Sequence, residues 1–392
     1  MVHNLYITAM EPASGKSIVA LGIMQTLAGR ARRAGFFRPI VPDGAHRDPQ
    51  IELIRRRFGL EASYEEMHAV SADEAHAMIA AGRHDELEQQ VFEAYKQLEP
   101  RFDVIVCEGT DFAGLLPALD FELNATLANQ LGCPVLVVIK GSSVSGIASA
   151  VRIARASLAH KGCSLFGVIA SRVPAELMAD MRTHSVIYDP GEPMYVLPEN
   201  AALGLPTVAQ MAEELGAEVL VGGQDRLHRE VSDVRVAAMG VEHFIGDLVD
   251  GMLVIVPGDR ADILLASLVA SRFPTLPAVA GILLTGAYGP AEPILALLGE
   301  APFAVLRVAE RTYPTATAVH AINPIITADD EPKIATALAV FEAGVDPRRA
   351  GRADCPTSPG HQNAPDTSCA GTRASRSSWR WTRSLTRAIS AR

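Results

Sequence analysis

The run from Ala13 to Ser17, with the sequence ASGKS, constrains the fold more than any other part of the chain. It stands between a short apolar run, Leu5 to Thr8, and a stretch with helical spacing that extends to Leu27. Gly15 permits a close approach of the backbone to a ligand, Lys16 has the length to reach a β- or γ-phosphate, and Ser17 offers a hydroxyl to Mg²⁺. The first N–H groups of the helix would add further donors for an anion. The order of strand, loop and helix therefore predicts a phosphate-binding turn at the start of an α/β domain.

This loop departs from the usual spacing of phosphate loops. The pattern GxxxxGK[ST] requires Gly at position 10, where this chain has Met10, and a longer variant requires Gly at position 9, where it has Ala9. We expect a side chain at either position to crowd the turn. Two interpretations stay open: a loop that binds a nucleotide or another anion, and a degenerate loop that keeps the fold without binding tightly.

Several further segments are continuous apolar runs rather than alternating ones. Such runs indicate strands that are buried on both faces, as in a parallel sheet covered by helices, and the predicted fold class is therefore α/β. The predicted strands are Gly35–Ile40, Phe102–Cys107, Val135–Ile139, Leu165–Ala170 and, at the edge, Met194–Leu197. The predicted helices are Glu122–Leu131, Ser145–His160, a helical insertion over Glu61–Gln97 and a closing helix after Pro206-Thr207.

A domain boundary is predicted near Gly222-Gly223, so that residues 1–221 form the first domain. Beyond the boundary, residues 224–345 repeat the pattern of strands and helices in a smaller α/β unit of ordinary domain size. Its predicted strands are Met252–Val256, Val279–Leu284 and Phe303–Leu306, and its predicted helices are Asp259–Ser271, one after Pro290, Thr315–Ala321 and Glu331–Phe341.

A carboxylate follows directly after the predicted strand Phe102–Cys107. Glu108 stands where an acidic residue of a phosphate-loop protein holds the water shell of a metal ion. Ser17 and Glu108 are therefore the predicted Mg²⁺ residues. The chain shows no pattern of nucleophile, histidine and acid that would predict covalent catalysis.

The net charge of −10 conceals an uneven distribution. From Pro347 to Arg392 there are nine Arg and two Asp, whereas positions 1–346 hold 26 basic and 43 acidic residues, a net of −17. An acidic body argues against a surface that binds nucleic acid. No window holds the roughly 18 apolar residues that a membrane helix needs. Because the N-terminus also lacks a signal-peptide pattern, we expect a cytoplasmic protein with neither a nucleic acid nor a membrane as partner.

Residues 346–392 differ from the rest of the chain in composition. They are rich in Arg, Ser, Ala, Thr and Pro without apolar periodicity, which predicts a disordered tail. One interpretation is a basic tail for nucleic acid or membrane. The scattered placement of the arginines favours the other, a change of reading frame after Asp346.

Family resemblances rest on these motifs. The first domain resembles the P-loop fold of the dethiobiotin synthetase type. The matching segments are Ala13–Ser17, Phe37–Ile40, Val106–Gly109 and Gly167–Arg172. The second domain resembles the DRTGG domain, with Asp259-Arg260 at the start of one helix and Thr285-Gly286 after the next strand. Ala287 stands where the motif has its last glycine.

Together, over positions 1 to about 345, the two domains are similar to the N-terminal half of long bacterial phosphate acetyltransferases. That family interconverts acetyl-CoA and acetyl phosphate, with the chemistry in a C-terminal acetyltransferase domain. The resemblance implies that this chain is a P-loop NTPase-like regulatory and assembly region, a homo-oligomer with a small-molecule effector. It also implies that these residues alone have no acetyltransferase activity.

Two other functions are compatible with the same fold. One is a free-standing ATP-dependent enzyme of the dethiobiotin synthetase type, but that family has Lys where this chain has Arg38, and Asn where it has Ser171. The other is a nucleotide-sensing module without catalysis. The predicted site for ATP or another nucleotide consists of Gly15, Lys16, Ser17 and Ser171.

Overall fold

A computed structural model describes residues 4–29, 33–43, 47–111, 117–183, 193–286 and 288–345. These described residues form two compact units: unit 1 comprises those up to Asn200 and those from Thr327 onwards, and unit 2 comprises those between Ala201 and Ile326. The predicted tail from 346 to 392 and the substituted motif position Ala287 lie outside the described residues.

The elements alternate along most of the chain. The strands are β1 (Asn4–Ala9), β2 (Ala34–Val41), β3 (His68–Ser71), β4 (Val104–Glu108), β5 (Val135–Lys140), β6 (Leu165–Val173), β7 (Met194–Pro198), β8 (Glu218–Val221), β9 (Asp233–Val236), β10 (Met252–Pro257), β11 (Gly281–Thr285) and β12 (Ala304–Val308). The helices are α1 (Lys16–Ala28), α2 (Pro49–Phe58), α3 (Ala72–Ala80), α4 (His84–Leu98), α5 (Pro117–Gln130), α6 (Val144–His160), α7 (Met178–Thr183), α8 (Val208–Glu214), α9 (Gln224–Leu227), α10 (Val241–Gly246), α11 (Ala261–Ala270), α12 (Glu292–Leu298), α13 (Thr312–Ala321) and α14 (Glu331–Val345).

Unit 1 contains a seven-stranded sheet in the order β3-β2-β4-β1-β5-β6-β7. All its strand pairs are parallel, which confirms the parallel α/β fold predicted from the continuous apolar runs. The strands are buried as these runs require: every residue of β4, and Val135–Ile139 of β5, is buried. The predicted edge position of Met194–Leu197 is also confirmed, because β7 ends the sheet order.

The segment from Glu61 to Gln97 contains more than the helical insertion that its composition predicts. The helices α3 and α4 lie there, but between residues 68 and 71 the chain adds β3 to the sheet, parallel to β2. The prediction missed this strand because only Val70 of its four residues is buried, so no apolar run marks it. A short edge strand of this kind is held by backbone pairing rather than by burial of side chains.

Helix α14 belongs to unit 1, whereas the sequence pattern grouped it with the second domain. It packs on α1 and on β7. The ring of Phe341 lies against Gly22 of α1 so closely that a Cβ at position 22 would be 2.2 Å from it. Residues 201–221 likewise belong to unit 2. The limits 1–221 and 224–345 stay predictions for the homologous domains.

Unit 2 contains a five-stranded sheet in the order β8-β12-β11-β10-β9. Strands β9 to β12 are parallel and neighbours in sequence, and β8 is antiparallel to β12. Phe244, Ile263 and Leu298, from α10, α11 and α12, fill one core. Met211 and Val319, from α8 and α13, fill another. Helices pack on the faces of a parallel sheet, and side chains from such helices contribute to these two cores. Among the helices of the described segments, none is both long and apolar enough to span a bilayer.

Candidate phosphate site

The sheet order of unit 1 brings two sequence motifs to the same edge. Strand β1 pairs with β4 on one side and with β5 on the other, and Ile7 is in register with Glu108. The backbone N–H of Gly109 continues the pairing by donating to the carbonyl of Ile7, at 2.8 Å. Because the carboxyl ends of parallel strands meet at one edge, the loop after β1 and the acidic residue of β4 become neighbours, at the position where such folds bind ligands.

The loop from Ala13 to Lys16 takes a tight backbone path. Gly15 has φ of 88° and ψ of 22°, and Ala13 has φ of 53°, so both are in the left-handed region. A Cβ on Gly15 would lie 2.6 Å from the Oγ of Ser171. Gly15 is therefore required both by its conformation and by the space beside it.

The sequence predicts that the side chains of Ala9 and Met10, which stand where the usual patterns have glycine, crowd the turn. In the structure, neither position has the backbone conformation that favours glycine. Ala9 is the last residue of β1 and Met10 follows it. Neither is among the described residues with positive φ. The loop therefore turns at Ala13 and Gly15, and this path does not require glycine at position 9 or 10.

Lys16, the first residue of α1, is buried and is held by two oxygens of unit 1. Its Nζ donates to the carbonyl of Gly109 at 2.6 Å and to Oδ1 of Asp111 at 2.7 Å. Burial lowers the pKa of the Lys16 ammonium from its ordinary value, and the carboxylates of Asp111 and Glu108 oppose that shift. The site thus holds a desolvated cation whose present partners are a carbonyl and a carboxylate.

Ser17 and Glu108, the predicted Mg²⁺ residues, face each other. The Ser17 hydroxyl donates to Oε1 of Glu108 at 3.4 Å. Glu108 Oε2 is buried and has no hydrogen-bond partner among the described residues, and the same holds for the hydroxyl of Ser14. Burial raises the pKa of the Glu108 carboxyl, while Arg38 and Lys16 oppose the rise.

These orphaned oxygens fit a bound cation and phosphate, because a buried oxygen without a partner loses free energy until a ligand supplies one. In the described parts of the chain, however, no group of three or more His, Cys, Asp or Glu residues is arranged to hold a metal ion. Mg²⁺ would therefore need oxygens from the nucleotide or from water in addition to Ser17 and Glu108, which is its usual mode of binding in phosphate sites.

Arg38, which stands where the dethiobiotin synthetase family has Lys, has a partner that the sequence did not predict, Asp48. The Arg38 guanidinium pairs with the fully buried carboxylate of Asp48. Asp48 also caps α2, since its Oδ1 accepts from the backbone N–H of Ile51 at 2.9 Å. From the same helix, Gln50 donates to the carbonyl of Ser17 at 3.2 Å. The signal that could have found Asp48 is its position before Pro49, the N-cap and first-turn pattern of a helix.

Ser171, predicted to contact the nucleotide, lies against the backbone of the loop at Gly15. It is 2% exposed and its hydroxyl occupies the space beside Gly15. Its carbonyl accepts from the backbone N–H of Gly141 at 2.7 Å. The structure therefore places Ser171 as a support of the turn, and a direct role for it in reading a base stays a prediction.

The motif of unit 2 also gathers at the carboxyl ends of parallel strands. Arg260 bonds to both carboxylate oxygens of Asp262, at 2.8 and 2.9 Å, and to the carbonyl of Met239 at 3.0 Å. The hydroxyls of Thr285 and Thr312 are hydrogen-bonded to each other, with their oxygens 2.8 Å apart. Arg260 is therefore bonded locally, but to Asp262 rather than to its neighbour Asp259.

Comparisons with known proteins agree with this architecture. A curated relative from Nitratidesulfovibrio vulgaris, named phosphate acetyltransferase, is 38% identical over 358 residues, which cover 88% of this chain and 51% of the relative. Another of the same name from Synechocystis sp. is 31% identical over 356 residues, with the same two shares of 88% and 51%. The chain therefore spans about half the length of these curated relatives.

One similar solved structure comprises the CBS and DRTGG domains of the regulatory region of a Clostridium perfringens pyrophosphatase, in complex with its activator diadenosine tetraphosphate. It is 17% identical, with a TM-score of 0.27, over 46% of this chain and 74% of that one. The DRTGG domain family matches residues 210–322 of this chain. The AAA domain family matches residues 3–222, more than half of the chain. The chain therefore belongs to the AAA domain family and carries a DRTGG domain after its AAA domain.

Proposed function

We propose that this chain is a regulatory and assembly region of a phosphate acetyltransferase, the enzyme that interconverts acetyl-CoA and acetyl phosphate. In this proposal unit 1 binds ATP or another nucleotide as an effector, together with Mg²⁺. Relatives that bear the enzyme's name support it, since they align with 88% of the chain. In this role the chain regulates the enzyme and does not itself catalyse the acyl transfer.

The observation that carries the proposal is the convergence of Lys16, Ser17 and Glu108 at one edge of the sheet. A long cation, a hydroxyl and a carboxylate lie at the start of α1, where backbone N–H groups are free to meet an anion. This set suits phosphate and its metal ion. When bound, Mg²⁺ would neutralise part of the charge of the phosphates. Ser17 and Glu108 would hold it or its water shell, while Lys16 would bond to the phosphates.

A phosphate ligand at this loop would act directly on α1, whose first residue is Lys16. The other end of the chain of contacts is α14, because Phe341 fills the space over Gly22 of α1. Arg57 of α2 also reaches α14, bonding to Glu331 at 2.7 Å. We propose that binding of an effector changes the packing of α1, α2 and α14. We further propose that the protein works in the cytoplasm as a homo-oligomer.

Calorimetry tests the binding. The wild-type chain is titrated with MgATP, MgADP and NADH, and so are Lys16→Ala and the control Lys96→Ala, whose ammonium is an exposed partner of Glu99. We expect at least one ligand to bind to the wild type and to the control, and binding to Lys16→Ala to be about 100-fold weaker, because a charge-assisted bond to phosphate is lost. No binding at all, or equal binding to all three proteins, would contradict the proposal.

A coupled assay tests the division of labour. Acetyl-CoA formation from acetyl phosphate and CoA is followed with the chain alone. We expect no turnover above background, because Lys16, Ser17 and Glu108 suit the binding of phosphate and Mg²⁺ rather than acyl transfer. Turnover that depends on the added chain would show that these residues perform the chemistry themselves.

A further inference from the structure

The ammonium of Lys16 already has an anionic partner within unit 1. Its two bonds go to the Gly109 carbonyl at 2.6 Å and to the Asp111 carboxylate at 2.7 Å. The Lys16 side chain is only 4% exposed in this arrangement. In a phosphate loop the same ammonium is the group that meets the β- and γ-phosphates. These bonds use two of the three N–H donors of the ammonium, so a phosphate that takes the donor bonded to Asp111 must displace that carboxylate.

A second cation of the site, Arg38, is also paired with a carboxylate. Its side chain is 15% exposed and its Nη1 bonds to the buried carboxylate of Asp48, whereas its Nε has no hydrogen-bond partner among the described residues. Asp111 itself is 27% exposed, so its carboxylate can turn towards water when Lys16 leaves it. Glu108 Oε2 and Ser14 Oγ, by contrast, are buried and have no partner among the residues that the structure describes. The site thus combines polar groups that lack a partner with a cation that is occupied.

From this geometry we infer that Asp111 is an autoinhibitory residue that occupies Lys16 and must be displaced by the phosphate of an incoming ligand. The inference rests on the proposed function, that a nucleotide binds at Lys16. The apparent dissociation constant is then the intrinsic one divided by the fraction of molecules in which Lys16 is free. Such a site responds to a ligand at high concentration, which suits a sensor of metabolite level.

The substitution Asp111→Asn tests this directly. Asparagine keeps the size of the side chain but replaces the charge-assisted bond to Lys16 with a weaker neutral one. We expect MgATP to bind to Asp111→Asn about tenfold more tightly than to the wild type. The control is Asp103→Asn, which alters an exposed carboxylate bonded to Arg33 at 3.3 Å and should leave the dissociation constant unchanged.

Salt distinguishes displacement of a buried bond from simple repulsion between Asp111 and the ligand. Long-range repulsion is screened as ionic strength rises, whereas competition for a buried ammonium is not. The ratio of the two dissociation constants is therefore measured at about 50 mM and about 300 mM salt, and we expect the same ratio at both.

The possible outcomes separate the two proposals. Equal or weaker binding by Asp111→Asn, or a ratio that falls to one at high salt, would overturn the autoinhibitory role and leave the nucleotide site standing. Absence of binding in both the wild type and Asp111→Asn would overturn the nucleotide site itself. A circular dichroism melting curve for each variant confirms that the protein compared is folded.

Discussion

Units 1 and 2 each present loops at the carboxyl edge of a parallel sheet, but they use the polar groups of that edge differently. In unit 1, Ser14 Oγ and Glu108 Oε2 are buried and have no partner within the described part of the chain. In unit 2, Arg260 bonds to the loop at Met239, and Thr285 bonds to Thr312, the first residue of α13. The first edge retains unused bonding capacity, which is what a binding site requires. At the edge of unit 2, the motif residues bond to neighbouring parts of the same unit. Buried oxygens without a partner among the described residues therefore mark the edge of unit 1 as the candidate binding site.

Gly15→Ala gives the largest expected effect and tests the loop of unit 1. The added Cβ would be strained at φ of 88° and would lie 2.6 Å from Ser171 Oγ. We expect the free energy of unfolding to fall by about 3 kcal/mol and MgATP binding to be lost. Urea unfolding measures the first and calorimetry the second. Gly59→Ala is the matched control, since Gly59 has φ of 60° with nothing near its Cβ position; it should cost about 1 kcal/mol. Equal losses for both would show that the contact with Ser171 is unimportant.

Arg260→Ala has the next largest expected effect and tests the structural use of the motif in unit 2. It removes the bonds to the Asp262 carboxylate and to the carbonyl of Met239. We expect a loss of about 2 kcal/mol in the free energy of unfolding, with MgATP binding unchanged. Thermal and urea unfolding check the first expectation. Weaker MgATP binding without a change in stability would indicate that Arg260 contacts a ligand, and would remove the difference between the two edges.

A pair of hydroxyl deletions has the smallest expected effect and compares the edges most closely. Thr285→Val removes a hydroxyl that is bonded to Thr312, and we expect it to cost about 1 kcal/mol of unfolding free energy. Ser14→Ala removes one that has no partner among the described residues, so we expect no loss of unfolding free energy and about fivefold weaker MgATP binding. Urea unfolding and calorimetry of both variants provide the comparison. A cost for Ser14→Ala as large as that for Thr285→Val would contradict the view that Ser14 is reserved for a ligand.

The sequence predicted most of the strands of unit 1 because fully buried strands leave continuous apolar runs. Val135–Ile139 was found in this way and is one residue short of β5. Strand β3 was missed because pairing at an edge needs little burial. The antiparallel β8 was missed for the same reason, since two of its four residues are exposed. Helix α14 was found, but its packing on α1 depends on Phe341 meeting Gly22, a contact that no local pattern encodes.

At the candidate site, the sequence predicted the residues whose type and local order define their chemistry. Lys16 and Ser17 follow from the loop, and Glu108 from the end of a strand. Asp111 was missed, because an isolated aspartate in a loop has many possible roles. The N-cap position of Asp48 before Pro49 is a local signal, but its pairing with Arg38, like that of Asp111 with Lys16, is recognised only in the tertiary structure.

By itself, the sequence determined the α/β class, the position of the phosphate loop and the two-domain plan, because periodicity and residue type act locally along the chain. Only the tertiary structure decided which groups are satisfied. Lys16 and Asp111 are 95 positions apart, and they meet because the sheet order places β4 beside β1. The same folding leaves Glu108 Oε2 without a partner in the described segments. Bonding between distant side chains depends on strand order and register, which no single stretch of sequence specifies.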